Sequence, residues 1–456
     1  MMINIKIDSR KVKPGDIFVA LPGATVDGHD YIDKAVENGA VKVIVEHDVE
    51  TTVEKEIVEN TNKWLTDYVS KNYGKEINEM NLIGVTGTNG KTTTAYLTYQ
   101  LLNKLGSKTA YIGTIGFYLP DEEFIELPNT TPNILDLYEL MLEAKEKGCK
   151  NVMMEVSSHA LHQERVKGIN YKVAAFTNLT QDHLDYHLTM DNYLEAKKLI
   201  LKQLDGPMII NADDPYASKW IDSYENTKTY GFEGNDYKII SYEDTLKGTI
   251  VKFKTPEKNY EVETNLKSKF NVYNYMTTLS IVNNLGYSIE EIIDTTKDIY
   301  PPKGRCEIIP VKEGIAVIDY AHTPDAVEKI IDAFNEHKKG KIITIVGCGG
   351  DRDPKKRPIM GRIATENSDY VVFTSDNPRT EEPQAIMDDI LAGVNTNNYE
   401  VELDRRKAIV IALDKIEKDD VVLILGKGHE DYQIIGHEKI HLDDAEEVQK
   451  YINSLK

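Results

Sequence analysis

The chain has little cysteine, little tryptophan and a deficit of positive charge. Its 456 residues include 3 Cys and 2 Trp. Cys149, Cys306 and Cys348 are few, odd in number and far apart, which excludes a disulfide framework and offers no zinc-ligand spacing. Lys and Arg total 54 against 75 Asp and Glu, a formal net charge of −21. A general nucleic-acid binder needs a basic face to displace counterions, so that class is excluded and no nucleic-acid partner is expected. Local clusters such as Arg352 with Lys355, Lys356 and Arg357 still leave room for an anionic substrate. No run approaches the roughly 18 apolar residues of a membrane span, and Met1 to Lys6 lack the apolar core of a signal peptide. The expectation is a cytoplasmic monomer with no membrane partner.

At roughly 150 residues per domain the length suggests about three domains. Up to residue 79, short apolar strands (16–21, 41–45) alternate with helical stretches such as 31–38, and the polar segment 71–81 reads as a linker. From 80 to 302 strands at 109–112, 151–155 and 173–177 alternate with helices such as 134–147. Strands joined by crossover helices imply a mostly parallel α/β sheet. Residues 237–262 alternate polar with β-branched and aromatic side chains, as a small antiparallel insert would. Pro301-Pro302-Lys303-Gly304 breaks the pattern. A further α/β unit then fills 303–456, with strands at 315–319, 341–346, 370–374 and 421–425.

The densest signal is Leu82-Ile83-Gly84-Val85-Thr86-Gly87-Thr88-Asn89-Gly90-Lys91-Thr92-Thr93. An apolar strand, a glycine-rich turn, a lysine and a helix start make a phosphate cradle. Glycines let the backbone approach phosphate oxygens, and free N–H groups at the helix start face the negative charge. Lys91 suits the outer phosphates and the Thr92 hydroxyl suits Mg²⁺. The usual spacing puts a glycine at Val85, so this is a variant loop. Glu155 ends a strand at the edge where parallel sheets bind ligands, and can reach a cation held by the loop or simply face solvent. The segment Asn178-Leu179-Thr180-Gln181-Asp182-His183 ends the next strand with metal- or phosphate-suited groups. On periodicity alone, Lys197 and Lys198 read as solvated.

Gly87 to Thr92, Glu155-Val156-Ser157-Ser158-His159, Asn178 to His183 and Asp319-Tyr320-Ala321-His322-Thr323-Pro324 occur in the order seen in the Mur ligases, which the chain resembles from Asp8-Ser9-Arg10 to Gly426-Lys427-Gly428-His429-Glu430. The resemblance implies an N-terminal α/β domain for a uridine nucleotide, a central ATPase-like domain and a C-terminal Rossmann-like domain. It implies ATP as the energy source, with two Mg²⁺ ions on Thr92, Glu155 and His183. It also turns Lys197 into a carbamylated lysine supporting the second ion, while Lys198 stays solvated. Asn271 resembles the family's residue on the adenine side, and Arg305 and Asp319 resemble C-terminal residues that close over ATP beside Gly87, Thr88, Asn89, Gly90, Lys91, Thr92 and Thr93. Lys91, Lys197, His183 and Arg305 are the implied catalytic set.

For the sugar-peptide substrate UDP-MurNAc-L-Ala-D-Glu, the resemblance implies Ser9 and the turn Ala24-Thr25-Val26 on the uridine side. Asn129, Thr130, Thr131, Ser157, Gln163 and Arg165 are implied on the sugar-peptide side. Asp376-Asn377-Pro378-Arg379 matches the form in members that add meso-diaminopimelate; the lysine-adding form lacks this arginine. Diaminopimelate carries a second carboxylate that a guanidinium binds with two hydrogen bonds, and lysine offers nothing there. Arg352, Asp376, Asn377, Pro378, Gly426 and Glu430 complete that implied site, with Glu430 for the distal ammonium. The expected reaction forms an acyl phosphate from the D-Glu carboxylate and ATP, then an amide. A lysine-adding ligase, a folate polyglutamylating ligase and a catalytically dead nucleotide-binding regulator are the alternatives.

Overall fold

The computed structural model describes residues 4–455 apart from 24, 25, 121, 123, 246, 247 and 337. Three sheets follow one another along the chain, with a small two-stranded hairpin (Tyr432–Ile435 with Glu438–His441) beside the last. The first sheet is parallel throughout, in the order Ile5–Lys6, Ile17–Val19, Lys42–Val45, Glu54–Ile57. The segment expected to be a linker from residue 71 is instead the second half of a helix, Thr61–Ile77. Asn60 caps it by accepting from the Lys63 N–H. Leu65, Val69, Tyr73 and Ile77, spaced by four, give it one buried stripe. The polar residues between them masked that stripe.

The central sheet has ten strands. Its middle runs Met208–Asn211, Tyr171–Phe176, Asn81–Thr86, Asn151–Glu155, Thr109–Gly113, all parallel. These strands are apolar almost without interruption because helices cover both faces. Three of their carboxyl ends lie side by side, so the residues after Thr86, Glu155 itself and the residues after Phe176 meet at one edge. The antiparallel insert is present as Tyr237–Asp244, Thr249–Lys254 and Asn259–Thr264, and it extends the same sheet. Val251 and Phe253 face in while Lys252 and Lys254 face out, as alternation requires.

The third sheet runs Glu307–Val311, Gly314–Asp319, Val421–Leu425, Ile342–Val346, Tyr370–Phe373, Tyr399–Val401, antiparallel only at the first pair. Its carboxyl edge carries Asp319, Gly426 and the turn from Asp376 to Arg379. No helix among the described residues is long and apolar enough to cross a membrane.

Candidate active site

The glycine turn works as a cradle because its backbone occupies conformations other residues avoid. Gly87 has φ +147° and Gly90, which precedes helix Lys91–Lys104, has φ +85°. A Cβ at Gly87 would collide with the Thr177 hydroxyl, and one at Gly90 with the Asn274 amide oxygen. The loop is pinned from the neighbouring strand end: Thr88 N–H donates to the Asn178 carbonyl (2.8 Å) and Asn89 N–H to Asn178 Oδ1 (3.0 Å). Lys91 folds back on this turn, giving Nζ hydrogen bonds to the carbonyls of Gly87 (3.0 Å) and Thr88 (2.9 Å). Burial holds its ammonium below the ordinary lysine range. Thr93 is buried in the first turn of the helix.

Glu155 does not face solvent; its exposure is 0 %. Its Oε1 accepts from the Tyr111 hydroxyl (2.6 Å) and Thr114 N–H (2.9 Å), and Oε2 from the hydroxyls of Thr92 (2.9 Å) and Thr114 (3.1 Å). Tyr111 and Thr114 were not singled out by sequence; a tyrosine inside an otherwise apolar strand was the available signal. From the third sheet's domain, Arg305 Nη2 donates to Thr92 Oγ1 at 3.3 Å, and its guanidinium lies 4.4 Å above the Tyr320 ring. Asp319 holds the turns around it by accepting from the N–H groups of Cys306 and Ala321, both at 2.8 Å. Burial raises the Asp319 carboxyl. A second link between domains joins Asn89 Nδ2 to Asp325 Oδ2 at 2.8 Å.

His183 sits at φ +53° with Nε2 3.3 Å from Asp182 Oδ2 and its ring edge-on to His159. Burial pushes its imidazole down to about 4. Lys197 is 1 % exposed, donates to the Gly87 carbonyl at 2.8 Å and lies 4.5 Å over the Tyr193 ring. Burial, with Lys91 nearby, holds its amine far below the ordinary range. The solvated reading of Lys197 is therefore wrong; Lys198 is half-buried and paired with Glu195. Among the described residues, no three His, Cys, Asp or Glu side chains converge as a metal cluster. Glu155 and His183 thus do not make a closed cage, and a cation there would draw its other ligands from phosphate oxygens.

The sugar-peptide candidates lie beside this edge. Thr131 Oγ1 donates to the Glu155 carbonyl (2.9 Å) and accepts from Ser157 N–H (3.1 Å), while Thr130 and Thr114 share a hydroxyl contact at 3.0 Å. Arg165 Nη1 reaches the Thr131 carbonyl (3.1 Å), Nη2 reaches Gln163, and Asn129 is exposed. Ser9 is buried and Val26 exposed on the first domain; Ala24 and Thr25 lie outside the described residues. Asn271, on the helix Lys269–Asn284, is buried and accepts from Asn274 Nδ2 at 2.9 Å.

At the third sheet's edge, Asn377 Nδ2 donates to Glu430 Oε2 (2.8 Å) and Tyr320 OH to Glu430 Oε1 (3.4 Å). Lys427, which sequence reasoning did not select, is 0 % exposed and places Nζ 3.2 Å from Glu430 Oε2 and 3.4 Å from Asn377 Oδ1. Arg379 has φ +52° and donates to the Gly350 carbonyl (2.7 Å). Arg352 stays exposed, with Nη1 on the Asp351 carbonyl. Asp376 is buried against Gly426, where a Cβ would strike its carboxylate, and a Cβ at Gly350 would strike the Pro378 carbonyl. The basic cluster expected around Arg357 does not exist as such: Arg357 is buried against Glu381 and Asp389.

Three α/β units, with a phosphate cradle on the middle one and an arginine reaching it from the third, define a nucleotide-using enzyme with its site at a domain junction. The chain belongs to the Mur ligase family and is a ligase. Residues 3–75 match "Mur ligase family, catalytic domain", 85–282 "Mur ligase middle domain" and 304–428 "Mur ligase, glutamate ligase domain". A Bacillus cereus protein named UDP-N-acetylmuramoyl-L-alanyl-D-glutamate--2,6-diaminopimelate ligase is 42 % identical over 460 residues, spanning 98 % of this chain and 94 % of that one. A solved structure of a ligase of the same name superposes with a TM-score of 0.71 at 31 % identity, over 100 % of this chain and 95 % of that chain. The MurF ligase of Thermotoga maritima in complex with ADP shares the fold, with a TM-score of 0.71 at 22 % identity over 99 % and 97 % of the two chains.

Proposed function

We propose that this chain is the ligase that joins meso-2,6-diaminopimelate to UDP-MurNAc-L-Ala-D-Glu, converting ATP to ADP and phosphate in peptidoglycan precursor synthesis. The observation that carries this reading is the Arg305–Thr92 hydrogen bond, which brings a cation from the C-terminal domain onto the phosphate loop. Residues 1–79 bind the uridine substrate, 80–302 bind ATP and 303–456 bind the amino acid. The enzyme acts as a cytoplasmic monomer.

The D-Glu side-chain carboxylate attacks the γ-phosphorus of ATP, ADP leaves, and an acyl phosphate results. Lys91 and Arg305 offset the charge that builds as two anions meet. The amine of diaminopimelate then attacks the acyl carbon, the C–O bond to phosphate breaks, and the amine loses a proton as the amide forms. Water hydrolyses an acyl phosphate, so the domain junction that Arg305 and Asp325 bridge keeps solvent out while it positions the amine.

The Thr92 hydroxyl and the Glu155 carboxylate form a hard oxygen donor set, the kind that suits Mg²⁺, and His183, which follows the neighbouring strand at the same sheet edge, is held neutral by burial. Bound there, two Mg²⁺ ions would supply charge neutralisation for phosphoryl transfer. Lys197 fits carbamylation, since a buried amine kept neutral is the form that adds CO₂.

Arg379 and Glu430 supply opposite charges for the far end of diaminopimelate. A lysine-adding ligase leaves Arg379 without a counterpart, and a folate ligase has no use for the first sheet. Phosphate release with the UDP-muramyl dipeptide, comparing meso-diaminopimelate, L-lysine and L-ornithine, tests the reading. Preference for lysine refutes the substrate, and ATP cleavage to AMP refutes the chemistry.

A further inference from the structure

Lys427 poses a problem of charge. It is wholly buried, and among the described residues its one ion pair is with Glu430, the carboxylate assigned above to the substrate's distal ammonium. Asn377 and Tyr320 also donate to Glu430, so this carboxylate already has three donors from the protein. A lone carboxylate in a pocket attracts any amino acid with a distal ammonium. A carboxylate already shared with a fixed cation attracts it much less. Arg379, on the adjoining turn, adds a second positive group that only a distal carboxylate can satisfy.

We propose that Lys427 is a specificity-determining residue: by compensating Glu430 it withholds the reward for a lone distal ammonium, so that the site favours an amino acid whose far end is a zwitterion. The proposal rests on the diaminopimelate reading of the site. Lys427 does not touch the reacting atoms. Its role is to offset the charge of Glu430, with Asp376, the Arg405–Asp444 pair and Arg379 as the other charged groups around the far end of the site. Without Lys427 the pocket gains one negative charge, and lysine, which brings one positive charge and no carboxylate, is the substrate that benefits.

The test compares kcat/KM for meso-diaminopimelate, L-lysine and L-norleucine, the last lacking both distal groups. In the wild-type enzyme lysine and norleucine should fall within about fivefold of each other, because the ammonium gains little from a compensated Glu430. In Lys427→Met, lysine should rise over norleucine by about tenfold or more, and the diaminopimelate-to-lysine ratio should drop by a similar factor. A wild-type enzyme that uses lysine far better than norleucine overturns the proposal without any variant, so a Lys427→Met protein that fails to fold does not shield it. A variant that loses all three substrates equally makes Lys427 a packing residue and also overturns it. A wild-type enzyme that prefers lysine to diaminopimelate overturns the substrate reading itself, and is recognised before Lys427 is changed.

Discussion

Replacing Arg405 tests whether the domain that supplies Arg305 and Arg379 depends on one sealed ion pair. Arg405, on helix Arg405–Asp414, and Asp444, on helix Asp444–Ser454, have side-chain exposures of 0 % and 0 %. The guanidinium forks onto the carboxylate, Nε to Oδ1 at 2.8 Å and Nη2 to Oδ2 at 2.7 Å. Nη2 also donates to the Leu425 carbonyl at 3.0 Å, where the strand ends before Gly426. Burial pulls the guanidinium down, but the attraction and hydrogen bonds of Asp444 outweigh it and keep it charged. Arg405→Met fills much of the space yet strands a buried carboxylate, which should cost about 3–5 kcal/mol. Asp444→Leu strands the guanidinium, whose Nη1 already lacks a partner, and should cost about as much. The double variant removes both charges and should lie within about 1 kcal/mol of wild type. Trp64 and Trp220 belong to the first two domains, so tryptophan fluorescence is blind to this change. Hydrogen exchange across residues 405–414 and 444–454 in a denaturant series reads it directly. Two additive single costs, or single costs under about 1 kcal/mol, refute the reasoning.

Two further outcomes follow from the site. Arg379→Leu should lower kcat/KM for diaminopimelate by about 10²-fold or more and leave lysine nearly unchanged, because only the former has a distal carboxylate; equal losses would mean that Arg379 merely shapes its turn. His187 is buried with Nε2 2.9 Å from the Ser158 hydroxyl, and burial pushes its imidazole from the ordinary 6.5 to about 4. Between those values the unfolded chain binds the proton and the folded one does not. Stability from this group is thus complete above about pH 6.5 and drains away as pH falls toward 4. Urea unfolding at stepped pH should show that slope, and His187→Gln should make it shallower while His183, also pushed down to about 4, keeps part of it; an unchanged slope rules His187 out as a source.

Legibility in the sequence tracked how local the cause was. The strands Asn151–Glu155 and Val421–Leu425 are read to the residue because a fully covered parallel strand is an unbroken apolar run. The insert, which spans Tyr237 to Thr264, is read from alternation as 237–262. Helix Thr61–Ile77 is lost in its second half because its four-residue stripe is thin and its other faces are polar. Lys197 shows the harder limit. Helical periodicity reads it as solvated, whereas in the structure it lies over the Tyr193 ring and donates to the Gly87 carbonyl, from 110 residues earlier, which no local pattern shows. Lys427 hides for the same reason: a lysine between two glycines reads as a loop residue until Glu430 and Asn377 close around it.

Thr92 condenses that limit into one oxygen. A hydroxyl has a single proton, and Thr92 gives it to Glu155 at 2.9 Å, which leaves its lone pairs toward Arg305 at 3.3 Å. Three distant segments therefore agree at Oγ1, though no local pattern links them. The arrangement separates stability from activity. In Thr92→Val, Glu155 keeps Tyr111 and both donors of Thr114, so no buried carboxylate is stranded and the loss should be about 1 kcal/mol. Activity should fall far more, by about 10²-fold in kcat, because the group that joins the phosphate loop to Arg305 is gone. Thr92→Ser restores the hydroxyl and should restore most of the rate. A valine variant that unfolds, or one that keeps its kcat, would show that Oγ1 serves the fold or nothing at all, and the link from Arg305 to the phosphate loop would lose its chemical meaning.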